Sequence, residues 1–108
     1  MRATMTLLGG RHGAAVLDDE HLTVRYGLGF RARLPRSSLG PATRYAGKVW
    51  SSGVHGWRGR WLVNGSSRGI VVVSVEPAQR AHVLGWPISL RQLLISLDDP
   101  DGFVAALA

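Results

Sequence analysis

The chain has no cysteine among its 108 residues. This excludes disulfides, thiol nucleophiles, thiolate metal sites and iron–sulfur clusters. Long hydrophobic runs are also missing, because no stretch approaches the roughly 18 apolar residues of a membrane-spanning helix. The first ten residues are too weakly apolar for a signal peptide. Hydrophobic residues still make up 45% of the chain, enough for a packed core. We therefore expect one cytoplasmic domain over residues 1–108.

Acidic residues are scarce and unevenly placed. Glu20 is followed by no acid until Glu76, and the basic residues between them carry a local charge of +9 within a total of +6. The electrostatic field of such an uneven charge distribution raises the rate of encounter with anionic partners, but it does not select one of them. The competing interpretation is an arginine-rich, solvated surface that binds nothing.

Glycine and proline recur at short intervals, a spacing typical of strands rather than helices. The sequence predicts strands over residues 5–8, 14–17, 22–26, 30–34, 60–63, 70–75, 80–84 and 90–97, with another near 43–46. A long loop is expected from there to Trp57. The turn-forming segment Asn64–Gly69 predicts a hairpin between residues 60–63 and 70–75.

One predicted hairpin can be assigned a register from the sequence. Apolar and polar residues alternate on both sides of the Gly27–Gly29 turn. A three-residue loop sets Tyr26 opposite Phe30, which keeps the apolar residues on one face. The same register places Arg25 directly opposite Arg31 on the outer face. Like charges so placed repel by up to about 1 kcal/mol, unless solvent or an anion screens them.

The clearest helix signal is at the C-terminal end. Asp98-Asp99-Pro100-Asp101 supplies an N-cap, a proline at the first helical position and an acid in the first turn. Phe103, Val104 and Leu107 then form one apolar stripe. A helix this short must pack on the rest of the domain. The sequence thus predicts a small β-barrel closed by a C-terminal helix. An OB-like barrel, with its helix between the third and fourth strands, is the alternative.

Three stretches carry a family resemblance: residues 21–35 with Leu34-Pro35 at their end, residues 61–73, and residues 95–107 with Ser96 and Asp99-Pro100. Together they resemble the bacterial pleckstrin-homology-like (PH-like) domains, in particular small actinobacterial members. The resemblance implies a PH-like barrel of about seven antiparallel strands in two near-orthogonal sheets, capped by a short helix. Members that bind phosphoinositides place several basic residues around their first hairpin turn, where this chain has only Arg11 and His12.

Residues suited to catalysis or metal binding do not form a recognisable arrangement. The histidines His12, His21, His55 and His82 lack the spacing of a zinc site. The serines lie in no nucleophile elbow, and Gly27-Leu28-Gly29 lacks the third glycine of a dinucleotide fingerprint. We expect no enzyme activity, no cofactor and no metal.

The segment from Trp50 to Trp61 is rich in tryptophan and arginine. It could form a surface that stacks bases and binds phosphates, or its rings could belong to the core. The strand parity of Trp61 favours the core, whereas Trp50 and Trp57 leave both interpretations open.

The predicted function is a non-catalytic binding or scaffolding module that engages a protein or an anionic surface through a basic face. The alternative is a nucleic-acid-binding small β-barrel that uses the basic, Trp-containing middle segment. Peripheral contact with the inner face of the membrane and the oligomeric state are left open. The candidate residues for binding an anion or a partner are Arg25, Arg31, Arg33, Arg36, Trp57, Arg58 and Arg60.

Overall fold

The computed structural model describes residues 4–8, 13–27, 29–47, 53–64 and 68–108. Its strands are β1 (Met5–Leu8), β2 (Ala14–Leu17), β3 (His21–Tyr26), β4 (Phe30–Pro35), β5 (Leu39–Arg44), β6 (Gly53–Trp57), β7 (Arg60–Asn64), β8 (Ile70–Val83) and β9 (Trp86–Ser96). A 3₁₀ turn over Arg36–Ser38 separates β4 from β5, and helix α1 (Pro100–Ala106) follows β9. The prediction of a mainly β, barrel-like fold with a C-terminal helix is confirmed.

The described strands belong to one sheet that curls into a half-barrel. Their order is β1-β2-β3-β4-β8-β9-β7-β6, and β5 pairs with β8 beside this path. Two long strands pair with each other within this sheet: β8 has 14 residues and β9 has 11. The β8–β9 register shifts between Ser74 and Gln79. Such a bulge bends a strand, and here it separates the half of β8 that pairs with β5 from the half that pairs with β4.

The core follows from the alternation along the strands. Leu22 and Val24 of β3 are buried, as are Phe30, Ala32 and Leu34 of β4, while the residues between them are exposed. Helix α1 packs against β5, β1 and β8 and contributes the fully buried Phe103 to this core. Apolar burial of this kind is the main favourable contribution to folding.

The start of α1 is formed as the sequence predicts. The Gly102 N–H donates to Asp99 Oδ1 at 3.1 Å, which satisfies one of the free N–H groups of the first turn. Pro100 occupies the first turn without a lost hydrogen bond. Arg44 of β5 forms an exposed ion pair with Asp101 at 2.8 Å.

The hairpin predicted between residues 60–63 and 70–75 is wrong. Strand β7 instead pairs with β9, in parallel, with Trp61 opposite Leu93. The edge of β8 that such a hairpin needs is taken by β5, where Ala42 lies opposite Val73. Parallel neighbours need a long connection, and the β8–β9 hairpin supplies it. The described residues therefore form one nine-stranded sheet that includes a parallel pair. The family resemblance implies about seven strands, all antiparallel and divided between two sheets.

The segment before β7 also differs from the prediction. The strand expected near 43–46 is β5, which begins at Leu39, and part of the expected loop is strand β6. Proline fits in β5 because the register shifts between Leu39 and Ala42. Glycine fits in β6 because the Trp61 indole, opposite Gly56, lies where a Cβ would be.

Replacing Gly56 by alanine tests this packing. The new methyl overlaps the Trp61 ring, so we expect the free energy of unfolding to fall by about 1–3 kcal/mol, as for other overpacked sites. Gly40→Ala in β5 is the matched control, because its Cβ meets Ser74 at an ordinary 3.6 Å, and we expect a change within about 0.5 kcal/mol. Urea unfolding followed by circular dichroism measures both. Equal effects would contradict the placement of Trp61.

Candidate functional site

The β3–β4 hairpin has the register that the sequence predicts. Tyr26 lies opposite Phe30, and Arg25 lies opposite Arg31. The Gly29 N–H donates to the Tyr26 carbonyl at 3.1 Å, and Gly27 takes a positive φ of 54° that a side chain would disfavour. The turn therefore fixes the two arginines side by side on the outer face.

Arg25 and Arg31 are exposed and are not neutralised by acids. Within the described ranges, neither guanidinium forms an ion pair or a hydrogen bond with another group. The acids lie elsewhere: Asp18, Asp19 and Glu20 precede β3, Glu76 is in the β8 bulge, and Asp98, Asp99 and Asp101 surround the start of α1. Glu20 is five residues, or about 16 Å, from Arg25 along an extended chain, farther than the screening length in physiological salt.

Strands β8 and β9 extend this basic face. His82 of β8 lies opposite Arg31, and Pro87 of β9 lies opposite His82. Exposed Arg33 follows Arg31 by two residues on β4, so it lies on the same face of the sheet. Exposed Arg80 precedes His82 by two residues on β8 and lies on that face for the same reason. The prediction that Arg25, Arg31 and Arg33 share an outward face agrees with this register. Arg80 was missed by the sequence reasoning because its position depends on the β4–β8 pairing.

An open cleft of about 380 Å³ lies at the end of this face. We call it the arginine cleft; it is lined by Arg25, Gly27, Arg31, Leu84 and Gly85. The Leu84 N–H donates to the Gly29 carbonyl at 3.1 Å, which joins the β3–β4 turn to the β8–β9 turn. Guanidinium groups are well suited to bind carboxylate or phosphate oxygens. The two guanidinium groups therefore give the cleft the charge to attract an oxyanion.

The β8–β9 turn beside the cleft presents apolar side chains to solvent. Leu84 and Trp86 are 73% and 75% exposed, unlike the other large hydrophobic residues described. We call Leu84, Gly85 and Trp86 the hairpin tip. Leu84 and Gly85 have φ values of 50° and 83°, the positive pair that defines a type I′ turn. A residue with a side chain costs about 1–2 kcal/mol in this conformation.

Arg36 is used for structure. Its guanidinium donates to the Asp18 carbonyl at 3.0 Å and to the Ala106 carbonyl at 2.8 Å. It thereby connects the turn before β3 to the end of α1, and it does not line the arginine cleft. The sequence reasoning could not detect this role, since both acceptors are backbone atoms brought close by the fold.

Arg58 and Arg60 lie on the β6–β7 hairpin. Both are exposed, but their hairpin pairs with β9 rather than with β3 or β4, and neither lines the arginine cleft. The side chain of Trp57 and the whole of Trp50 lie outside the described residues. Trp61 is half-buried against the core, as its strand parity predicts.

Metal ligands are not clustered in the part of the chain that the structure describes: no three histidine or acidic side chains are grouped to hold an ion. His21 and His82 are half-buried on different parts of the sheet. His12 and the side chain of His55 lie outside the described residues. Nor do these residues include a helix with the length and hydropathy needed to span a bilayer.

Replacing Arg36 by methionine separates its structural role from anion binding. The carbonyls of Asp18 and Ala106 lose their donor, so we expect the free energy of unfolding to fall by about 1–3 kcal/mol. Arg33→Met, at an exposed position of the basic face, is the control and should change it by less than about 0.5 kcal/mol. Chemical denaturation provides the measurement. If Arg36→Met leaves the free energy of unfolding unchanged, the two hydrogen bonds do not contribute to stability.

Comparison of the chain with protein-family models, with curated proteins and with solved structures gave no match. The resemblance to PH-like domains therefore stays a prediction. What bears on function is the arrangement of charged and apolar side chains at the arginine cleft and the hairpin tip.

Proposed function

We propose that the protein is a binding module that holds an anionic group of its partner between Arg25 and Arg31. The observation that carries this proposal is the pairing of two exposed arginines, opposite each other and without an acidic partner in the described structure, at the wall of a cleft. No catalytic step is assigned, because the groups lining the cleft include neither a nucleophile nor a general base.

The energetic argument rests on strand pairing. Residues directly opposite in an antiparallel pair have Cα atoms about 4.5–5.5 Å apart, and like charges there destabilise the sheet by up to about 1 kcal/mol. An oxyanion between the guanidiniums replaces this repulsion with two charge-assisted hydrogen bonds. The β3–β4 register holds the backbone of both arginines in place, so binding needs to order only their side chains, at a cost of about 0.5–1.5 kcal/mol each.

A nucleic-acid partner would use phosphate contacts of the same kind. In that case Arg58 and Arg60, on the β6–β7 hairpin, should contribute to affinity as much as the cleft, and affinity for single-stranded DNA should fall steeply with salt. We favour the smaller anionic site because the paired arginines and the cleft coincide, whereas Arg58 and Arg60 lie on a different hairpin.

Sulfate or inorganic phosphate tests the anion site. At a concentration about five times Kd, binding adds about 1 kcal/mol and should raise Tm by about 4–8 °C relative to chloride at matched ionic strength. The double variant Arg25→Gln/Arg31→Gln should lose this response. Without the anion and at low salt, its Tm should equal or exceed that of the parent, because the repulsion is removed.

Arg58→Gln/Arg60→Gln removes the same charge from the β6–β7 hairpin and should keep the full response. An equal response in all three proteins would contradict the proposal and indicate general ion screening. Tight binding of labelled single-stranded DNA that is weakened by the β6–β7 variant, with no response to phosphate, would favour the nucleic-acid alternative.

A further inference from the structure

Most acidic residues of the described chain are gathered at one end of the fold. The turn before β3 carries three consecutive acids and lies at the other end of that strand from Arg25. Helix α1 begins at the same end, because Met5 pairs with Leu17 beside this turn and also lies against Gly102 in the first turn of α1. We call this surface the acidic end, formed by Asp18, Asp19, Glu20, Asp98, Asp99 and Asp101.

The acidic end carries a negative charge, although the chain as a whole is positive. Arg44 and Arg36 are bound to it, through an ion pair and a backbone carbonyl. Six acids against these two arginines leave an excess of four negative charges among the described residues. The Asp18 Oδ1 accepts hydrogen bonds from the N–H groups of Glu20 and His21 at 2.7 and 2.8 Å. The turn that presents the carboxylates therefore has a fixed backbone.

The arginine cleft has the opposite charge and lies at the other end of the β3–β4 hairpin. Glu20 is about 16 Å from Arg25 along the extended strand, whereas the screening length is about 8 Å in physiological salt. The two surfaces of one copy are therefore too far apart to neutralise each other. A second copy can bring its acidic end to the cleft without this limit.

Apolar surface accompanies the charges at both ends. Leu84 lines the arginine cleft and is 73% exposed, and Met5 and Pro100 are half-buried at the acidic end. A free phosphate in the cleft leaves the leucine in water, whereas a protein surface that carries both carboxylates and apolar atoms covers it. The acidic end has both.

We propose that the anionic group held by the arginine cleft belongs to the acidic end of a second copy of this chain, so that copies associate head to tail. This names the partner of the anion site and rests on the proposed function. A guanidinium and a carboxylate can share two parallel hydrogen bonds. Because the contact joins two different surfaces, it repeats from copy to copy and builds a ring or a filament.

Salt concentration sets the balance of forces in this association. The net charge of +6 repels whole molecules from one another. At about 0.1 M salt the screening length is about 10 Å, shorter than the 25–36 Å dimensions of the molecule, so this long-range repulsion is damped while charges in contact still attract. At about 1 M salt the screening length is about 3 Å and the contact weakens as well.

Analytical ultracentrifugation is the first test. At about 0.1 M sodium chloride the weight-average mass of the parent should rise with protein concentration to beyond that of a dimer, and at about 1 M it should fall towards that of the monomer. Arg25→Gln/Arg31→Gln should weaken association at least about 10-fold, because an interfacial charge pair is lost. Asp19→Asn/Glu20→Gln should weaken it to a similar extent from the other side of the contact.

Control variants change charge elsewhere. Arg58→Gln/Arg60→Gln removes two arginines from the β6–β7 hairpin, and Glu76→Gln removes an acid in the β8 bulge. Each should change the association constant less than about 3-fold, a difference below about 0.7 kcal/mol. An effect of either control as large as that of the arginine-cleft variant would contradict a contact at the cleft.

Mixing the two impaired variants is the sharpest test. Arg25→Gln/Arg31→Gln keeps its acidic end, and Asp19→Asn/Glu20→Gln keeps its arginine cleft. One contact remains possible between them, so the equimolar mixture should form a dimer and nothing larger, while each variant alone stays monomeric. Recovery in the mixture also shows that both variants are folded.

Failure of this proposal is distinguishable from failure of the anion site. A monomeric parent, a parent that stops at a dimer, or a mixture of variants that stays monomeric overturns head-to-tail association even if the Tm response to inorganic phosphate is intact. Phosphate at matched ionic strength should dissociate the copies, because it competes for the cleft. Association that requires both ends supports the proposal, and an absent Tm response would then count only against binding of the free anion.

Discussion

The pairing of β3 with β4 across a three-residue turn is the constraint on which the rest of the site depends. It turns Leu22, Val24 and Phe30 towards the core and leaves Arg25 opposite Arg31 outside. A slip of one residue would exchange the two faces and bury charge. The apolar core therefore determines the position of the arginines, and their repulsion is a consequence of a register that folding requires.

The long strands β8 and β9 turn this local arrangement into a cleft. Phe30, Arg31 and Ala32 of β4 pair with the end of β8, so the β8–β9 turn lies next to the β3–β4 turn. The hydrogen bond from Leu84 to Gly29 connects the two turns directly. Neither hairpin alone forms the arginine cleft, and the apolar tip stands beside the charges only because both hairpins end at the same edge of the fold.

The features that could be predicted from the sequence are local ones. Alternation gave the β3–β4 register, and the Asp98–Asp101 segment gave the capped helix, because both depend on residues close in the chain. The parallel β7–β9 pair could not be foreseen, since it is decided by competition between β5 and β7 for the edges of β8 and β9. The sequence groups Arg36 with the basic face, because hydrogen bonds to backbone carbonyls far away in the chain leave no pattern in the sequence. The sequence predicts Leu84 as the last residue of a strand, because nothing in the sequence reveals its exposure or its positive φ.

The most direct test of the account is a double-mutant cycle between Arg25 and Arg31, measured by chemical denaturation with and without saturating inorganic phosphate at constant ionic strength. In chloride, the coupling free energy should be unfavourable, by up to about 1 kcal/mol, as expected for like charges directly opposite in a sheet. In phosphate the coupling should become favourable, because both side chains then hold one anion. A coupling free energy that phosphate leaves unchanged would contradict the claim that this pair is a binding site.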